Sequence, residues 1–157
     1  MSIAYRAMRP GQEDAVAIQL RQFARELKAP HPPTITGEGL RAASDLVRVH
    51  VAEDSGLLVG LCTWMTIFST WRGIKGMYCC DLFVMEHMRA RRVGEQLLRH
   101  AARDAQQLGA RFIKLEVNAE NMRTHGFYER LGFHHAPTDR LMFLETAEFE
   151  TFTGAIT

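Results

Sequence analysis

Four arginines, Arg89, Arg91, Arg92 and Arg99, crowd the start of a segment with helical periodicity, and Gly94 sits among them. A helix N-terminus carries backbone N–H groups without partners and a partial positive charge, and both favour a bound phosphate. Gly94 has no Cβ, so a ligand can approach the backbone closely there. The guanidinium groups add neutralising charge. Taken alone, this pattern describes a solvated helix end as well as it describes an anion site. Other reactive residue types are sparse. Cys62, Cys79 and Cys80 form no CxxC and no metal-ligand spacing, and His134-His135 lacks ligand spacing too, so no metal site is expected. No GxGxxG follows an early strand, which argues against a dinucleotide-binding domain.

These groups must be positioned by a regular scaffold, and the periodicity predicts one. Residues 3–8 read as a short strand. A helix follows Pro10, with Val16, Leu20, Phe23 and Leu27 on one face. Residues 29–33 contain three prolines and form a loop; residues 38–46 read as a second, short helix. The period then changes to that of strands: 47–53 and 57–69 form a hairpin around Asp54-Ser55-Gly56, and 77–84 is a third, mostly apolar strand. A helix over 92–108 buries Val93, Leu97, Ala101, Ala105 and Leu108 and stops at Gly109. Residues 112–117 read as a strand, 121–131 as a helix ended by Gly132, and 141–145 as a last strand. This order predicts an α/β domain with a mixed sheet.

The chain has 157 residues, which suits one domain spanning 1–157. Its 19 Lys and Arg against 18 Asp and Glu leave a net charge of +1, without the basic excess of a nucleic-acid binder. The N-terminus shows no signal peptide, and the longest apolar run, 57–68, is short of the roughly 20 residues that cross a bilayer. With an odd number of cysteines, two of them adjacent, these features predict a soluble, cytoplasmic protein with reduced thiols and no nucleic-acid or membrane partner.

Two separated blocks carry a family resemblance. Arg89-Ala90-Arg91-Arg92-Val93-Gly94, followed by Leu97-Leu98, resembles the (Q/R)xxGxG/A motif of the GNAT superfamily of N-acetyltransferases. Asn121, then Phe127-Tyr128-Glu129-Arg130-Leu131-Gly132-Phe133, resembles that family's "N…lYeklGF" segment. The resemblance implies a central mixed, mostly antiparallel α+β sheet with splayed parallel strands 4 and 5, flanked by helices on both faces. It implies acetyl-CoA as co-substrate. Leu82, Phe83 and Val84 would face the pantetheine, a backbone N–H there polarising the thioester carbonyl. Arg89, Ala90, Arg91, Arg92, Val93, Gly94 and Glu95 would hold the pyrophosphate. Asn121 and Thr124 would contact the cofactor arm, and Arg130 would reach phosphate. One departure stands out: Arg92 occupies the position of the family's first loop glycine. The expectation is that Gly94 supplies the close approach while Arg92 contributes charge rather than conformation.

Acetyl transfer to an amine poses two proton problems, because an alkylamine is protonated at neutral pH and the leaving thiolate needs a proton. Tyr128 matches the family's general-acid tyrosine. Glu116, twelve residues earlier, has the spacing of the base in the similar ribosomal-protein N-terminal acetyltransferases. A glutamate that merely points outward from the strand, Asp81, or a water relay are the alternatives. The run Tyr78-Cys79-Cys80-Asp81-Leu82-Phe83-Val84 also resembles a strand of the diamine (spermidine/spermine type) acetyltransferases, with Cys80 in place of their glutamate. Candidates for acceptor binding are Glu26, Cys80 and Asp81, with Lys28 and His31 in the loop nearby. The resemblance thus implies direct attack by a small amine or polyamine-like acceptor in a ternary complex, with a protein or peptide N-terminus, or a non-catalytic acyl-CoA-binding module, as alternatives. Family members often form homodimers, and Phe149 and Phe152 are candidates for such an interface.

Overall fold

The computed structural model describes residues 2–154. They fall into two compact units that divide between Asn118 and Ala119.

The first unit holds β1 (Ala4–Ala7), α1 (Glu13–Glu26), α2 (Gly37–Ala42), β2 (Arg48–Asp54), β3 (Leu57–Ser69), β4 (Ile74–Val84), a 3-10 turn over Glu86–Met88, α3 (Val93–Gln107) and β5 (Ala110–Lys114). The five strands form one sheet in chain order, antiparallel except for the parallel β4–β5 pair. The β2–β3 hairpin closes through Ser55 and Gly56, both at positive φ, as a two-residue hairpin loop matched to strand twist requires. Helix α2 is shorter than its periodicity predicts. It ends at Ala42, and residues 43–47 close turns instead, with Leu46 and Val47 both bonding back to the Ala43 carbonyl.

Alternation along the strands sorts side chains onto two faces. Val49, Val51, Leu61 and Phe83 point one way and pack with Val16 of α1 and Leu40 of α2 in a single buried cluster. His50 points the other way and meets Asp104 of α3. Helices therefore flank both faces, as the motifs imply.

The α3 face contains a buried polar relay. The indole N–H of Trp64 donates to His50 Nδ1 at 3.0 Å, so the imidazole proton sits on Nε2 and donates to Asp104 Oδ2 at 2.8 Å. The ring is locked as one neutral tautomer. Burial lowers its pKa, and Asp104 only partly opposes this. A depressed histidine pKa contributes stability that is full above the unfolded value, near 6.5, and is lost as pH falls below it.

The second unit holds α4 (Met122–Arg130) and α5 (Thr146–Gly154). Asn121 caps α4 by accepting from the Thr124 N–H, and Gly132 ends the helix at φ +97°. The strand expected over 141–145 is not formed: those residues have no regular structure, and α5 follows where no helix was predicted. Strand propensity is realised only beside a hydrogen-bonding neighbour, and the described residues of this unit offer no second strand.

We expect unfolding free energy, measured by urea titration, to fall between pH 7 and pH 5. In His50→Gln this slope should shrink by up to about 1.4 kcal/mol per pH unit, the value for one proton.

Candidate active site

The β4–β5 pairing is confined to one end. Lys75 pairs with Ala110, Met77 with Ile113 and Tyr78 with Lys114, and no pair follows. The Phe112 ring lies against Gly76, where any Cβ would meet it at 2.4 Å, and the Arg72 guanidinium lies over the ring, 4.8 Å from its centre. Beyond Tyr78, β4 continues to Val84 with β3 as its only strand neighbour.

This leaves backbone groups exposed in a defined direction. The Met85 N–H bonds to the Val59 carbonyl, and Val84 pairs with Gly60. In an antiparallel ladder the bonding alternates, so Leu82 and Val84 turn their N–H and C=O away from β3, into the gap. The Val84 carbonyl is met there by Arg89 Nε at 2.9 Å. Buried backbone groups need partners, so an extended molecule bearing amides fits this edge as a further strand would. Leu82 and Val84 thus present backbone groups at this edge, whereas Phe83 pairs its backbone with Leu61 and buries its side chain.

The loop before α3 departs from expectation in one respect. Arg92 is the N-cap residue at φ +60°, and Ala90 is at φ +66°. Arg92 therefore adopts the left-handed conformation that glycine favours, and the expectation that it contributes charge rather than conformation is corrected. Its side chain does contribute charge, but to the protein: it pairs with Glu95 through two 3.0 Å bonds. Arg99 binds the same carboxylate, and the two cations hold Glu95 below the usual range. No side chain caps α3, and the first intrahelical bond runs from Gln96 to the Arg92 carbonyl at 3.0 Å. The N–H groups of Val93, Gly94 and Glu95 are left without intrahelical acceptors, as an anion site requires. Arg91 reaches the Met88 sulfur. Arg89, besides Val84, forms an ion pair with Glu26 and lies 6.0 Å from the Phe83 ring centre. Glu26, a candidate for acceptor binding by sequence, is thereby tied to the loop before α3.

A polar cluster lies on the α1–α2 face of the sheet. Thr63 shares that face with Leu61, and Asp81 opposite it accepts from the Thr63 hydroxyl. Trp64 pairs with Cys79, so Cys80 is an unpaired bulge residue, and Tyr78 opposite Met65 returns to the face of Asp81. The Tyr78 hydroxyl donates to Glu116 Oε1 at 2.9 Å. Burial, and after it this bond to Glu116, push the Tyr78 phenol up to about 12. Burial, and then Asp81, push the exposed Cys80 thiol up to about 11. Burial raises Asp81 as well, against the pull of Thr63. The Cys62 and Cys79 sulfurs lie 3.8 Å apart on the buried side. Sequence reading missed the contact of Tyr78 with Glu116; the signal was the place of Tyr78 on the motif strand, three residues before Asp81.

In the second unit, Tyr128 packs edge-on against Phe127 and Phe133, at 5.0 and 5.3 Å between ring centres. Asn121 and Thr124 are joined by the helix cap, and Arg130 closes the last turn of α4. Among the described residues no group of three or more His, Cys, Asp or Glu could hold a metal ion, and no helix is long and apolar enough to cross a membrane.

Residues 14–133 match the Acetyltransferase (GNAT) family. The chain belongs to this family. Over 125 residues it is 26% identical to the thialysine N-epsilon-acetyltransferase of Mus musculus, covering 72% of this chain and 73% of that protein. The fold is similar to the ribosomal-protein-alanine N-acetyltransferase of Brucella melitensis, with TM-score 0.78 at 14% identity over 93% of this chain and 100% of that one. It is also similar to AAC(6')-Iy in complex with the bisubstrate analog CoA-S-monomethyl-acetylneamine, with TM-score 0.70 at 18% identity over 93% and 99% of the two chains. The protein is thus a GNAT N-acetyltransferase whose co-substrate is acetyl-CoA.

The two left-handed residues of the loop carry a stability signature. We expect Ala90→Gly to stabilise the acetyltransferase by about 1 kcal/mol, because a Cβ costs roughly that much at positive φ. Arg92→Ile should destabilise it by about 1–2 kcal/mol, since branched side chains are strained there. Thermal and urea unfolding measure both.

Proposed function

We propose that this acetyltransferase acetylates the primary amine of a small molecule by direct attack within a ternary complex, with Glu116 as base and Tyr128 as acid. The observation that carries the reading is the Glu116 carboxylate, held by Tyr78 beside the fork where β4 and β5 part. An alkylamine has a pKa near 10.4, so at pH 7 only about one molecule in 2,500 is ready to attack. An ionised carboxylate at the fork can accept the ammonium proton. The cofactor supplies an acetyl group activated as a thioester. The backbone N–H groups of Leu82 and Val84 supply donors for its arm and for the charge that develops on the carbonyl oxygen. Residues 89–95 are the candidates to hold pyrophosphate, Asn121, Thr124 and Arg130 remain cofactor candidates by their motif, and Tyr128 is the candidate to protonate the departing sulfur. Both units act as one acetyltransferase domain in this reading, which the family match supports by running across residue 118.

Direct attack is favoured over an acetyl-cysteine intermediate. Cys80 is the exposed thiol near the fork, and at about 11 it is protonated at neutral pH and a weak nucleophile. Asp81 is committed to Thr63, which makes Glu116 the better base. Asp81 and Cys80 border the acceptor side, and Glu26 acts through Arg89. A small-amine acceptor is supported by the relative named for acetylating the ε-amine of thialysine. Three free thiols suit the reducing cytoplasm. The exposed Phe149 and Phe152 offer a surface for a homodimer, which light scattering on an eluting column would reveal.

Thiol release from acetyl-CoA, followed with a panel of diamines, lysine analogues, aminoglycosides and peptides, tests the reading. Glu116→Gln and Tyr128→Phe should each lower kcat by about 10²-fold, the usual scale of one general acid or base, with acetyl-CoA affinity retained. Mass spectrometry of protein mixed with acetyl-CoA alone should find no acetylated Cys80. Tight acetyl-CoA binding by calorimetry without transfer to any amine would instead identify a non-catalytic module, and preference for peptides would move the acceptor to protein N-termini.

A further inference from the structure

We propose that Tyr78 is a positioning residue of the acetyl-transfer reaction: its hydroxyl fixes one oxygen of the Glu116 carboxylate at the fork and leaves the other for the acceptor amine. The inference rests on the reading of Glu116 as base. Tyr78 is the last β4 residue paired with β5, so it stands where the two strands begin to part. Glu116 lies two positions beyond Lys114, the partner of Tyr78, and its Oε1 accepts the phenol proton at 2.9 Å.

The chemistry of the pair gives each member one role. A phenol pushed up to about 12 stays protonated through the working range, so Tyr78 donates and cannot itself serve as base. Glu116 is exposed, and an exposed glutamate otherwise samples many rotamers. A tyrosine has only two side-chain torsions and its ring is partly buried, so it is a stiff support for a flexible carboxylate. The strand pairings place charged and titratable neighbours on this face. Lys114 shares it through its pairing with Tyr78, and Cys80 and Asp81 follow on β4. Asp81 is occupied by Thr63, and Cys80 is a neutral thiol that bonds weakly to the Tyr78 carbonyl. Met65, opposite Tyr78 on β3, carries no charge. Tyr78 is therefore the donor that keeps the Glu116 carboxylate aimed.

Tyr78→Phe keeps the ring and removes the donor. We expect kcat to fall about tenfold with acetyl-CoA affinity by calorimetry unchanged. The acidic limb of the kcat/KM profile should move to higher pH, because a carboxylate that loses a hydrogen bond binds its proton more tightly. The Glu116 carboxyl carbon, followed by NMR without substrates, should change its chemical shift in this variant as the hydrogen bond is lost. A limb and a carboxyl resonance both unmoved in Tyr78→Phe would overturn the inference. If Glu116→Gln is inactive while Tyr78→Phe matches the wild type, only the positioning role falls. If Glu116→Gln is fully active, the base assignment falls and takes this inference with it.

Discussion

Strand β4 is held along its full length by β3 on one side, but by β5 over only its first few residues on the other. That inequality is the constraint on which the site depends. A sheet edge with unmet N–H and C=O groups is costly to bury and prone to stray pairing. Here the unmet edge is short, internal and aimed by register, because Val84 and Leu82 must turn away from β3. An extended molecule bearing amides could meet the same need as a strand would. The Phe112 ring against Gly76 secures the closed end of the fork, and the Glu116–Tyr78 bond spans the point where it opens.

The loop beyond β4 shows a second kind of commitment. Two non-glycine residues hold left-handed backbone at the mouth of α3, and three N–H groups there lack helical acceptors. Positive side chains surround the site, yet several of them are spent on the protein itself. Arg92 and Arg99 share Glu95, and Arg89 answers both Glu26 and the Val84 carbonyl. The backbone, more than the guanidinium groups, is left free to meet an anion. Charge composition alone could not have distinguished these two contributions.

Much of the first unit was legible in the sequence because each element there carried its own period and punctuation. The hairpin at Ser55-Gly56, the buried stripe of α3 and the stop at Gly109 needed no tertiary information. What escaped was set by partners distant in sequence. The strand expected over 141–145 failed because propensity does not say whether a neighbouring strand exists. Arg92 was misjudged because its residue type argues against positive φ, and only the geometry of the helix entry imposes it. Tyr78 went without a role because its partner, Glu116, lies 38 positions along the chain.

The bulge at Cys80 changes the counting rule on β4. In a regular strand, residues three apart face opposite ways; with one extra residue between them, Tyr78 and Asp81 face the same way. The polar face of the site is thus set by parity as much as by residue identity. Removing the bulge residue would leave Tyr78 and Asp81 two apart in a regular ladder to β3, so both would keep their common face. The bulge thus lets three steps of chain act with the parity of two, and it places an extra side chain, Cys80, between two neighbours without turning either away.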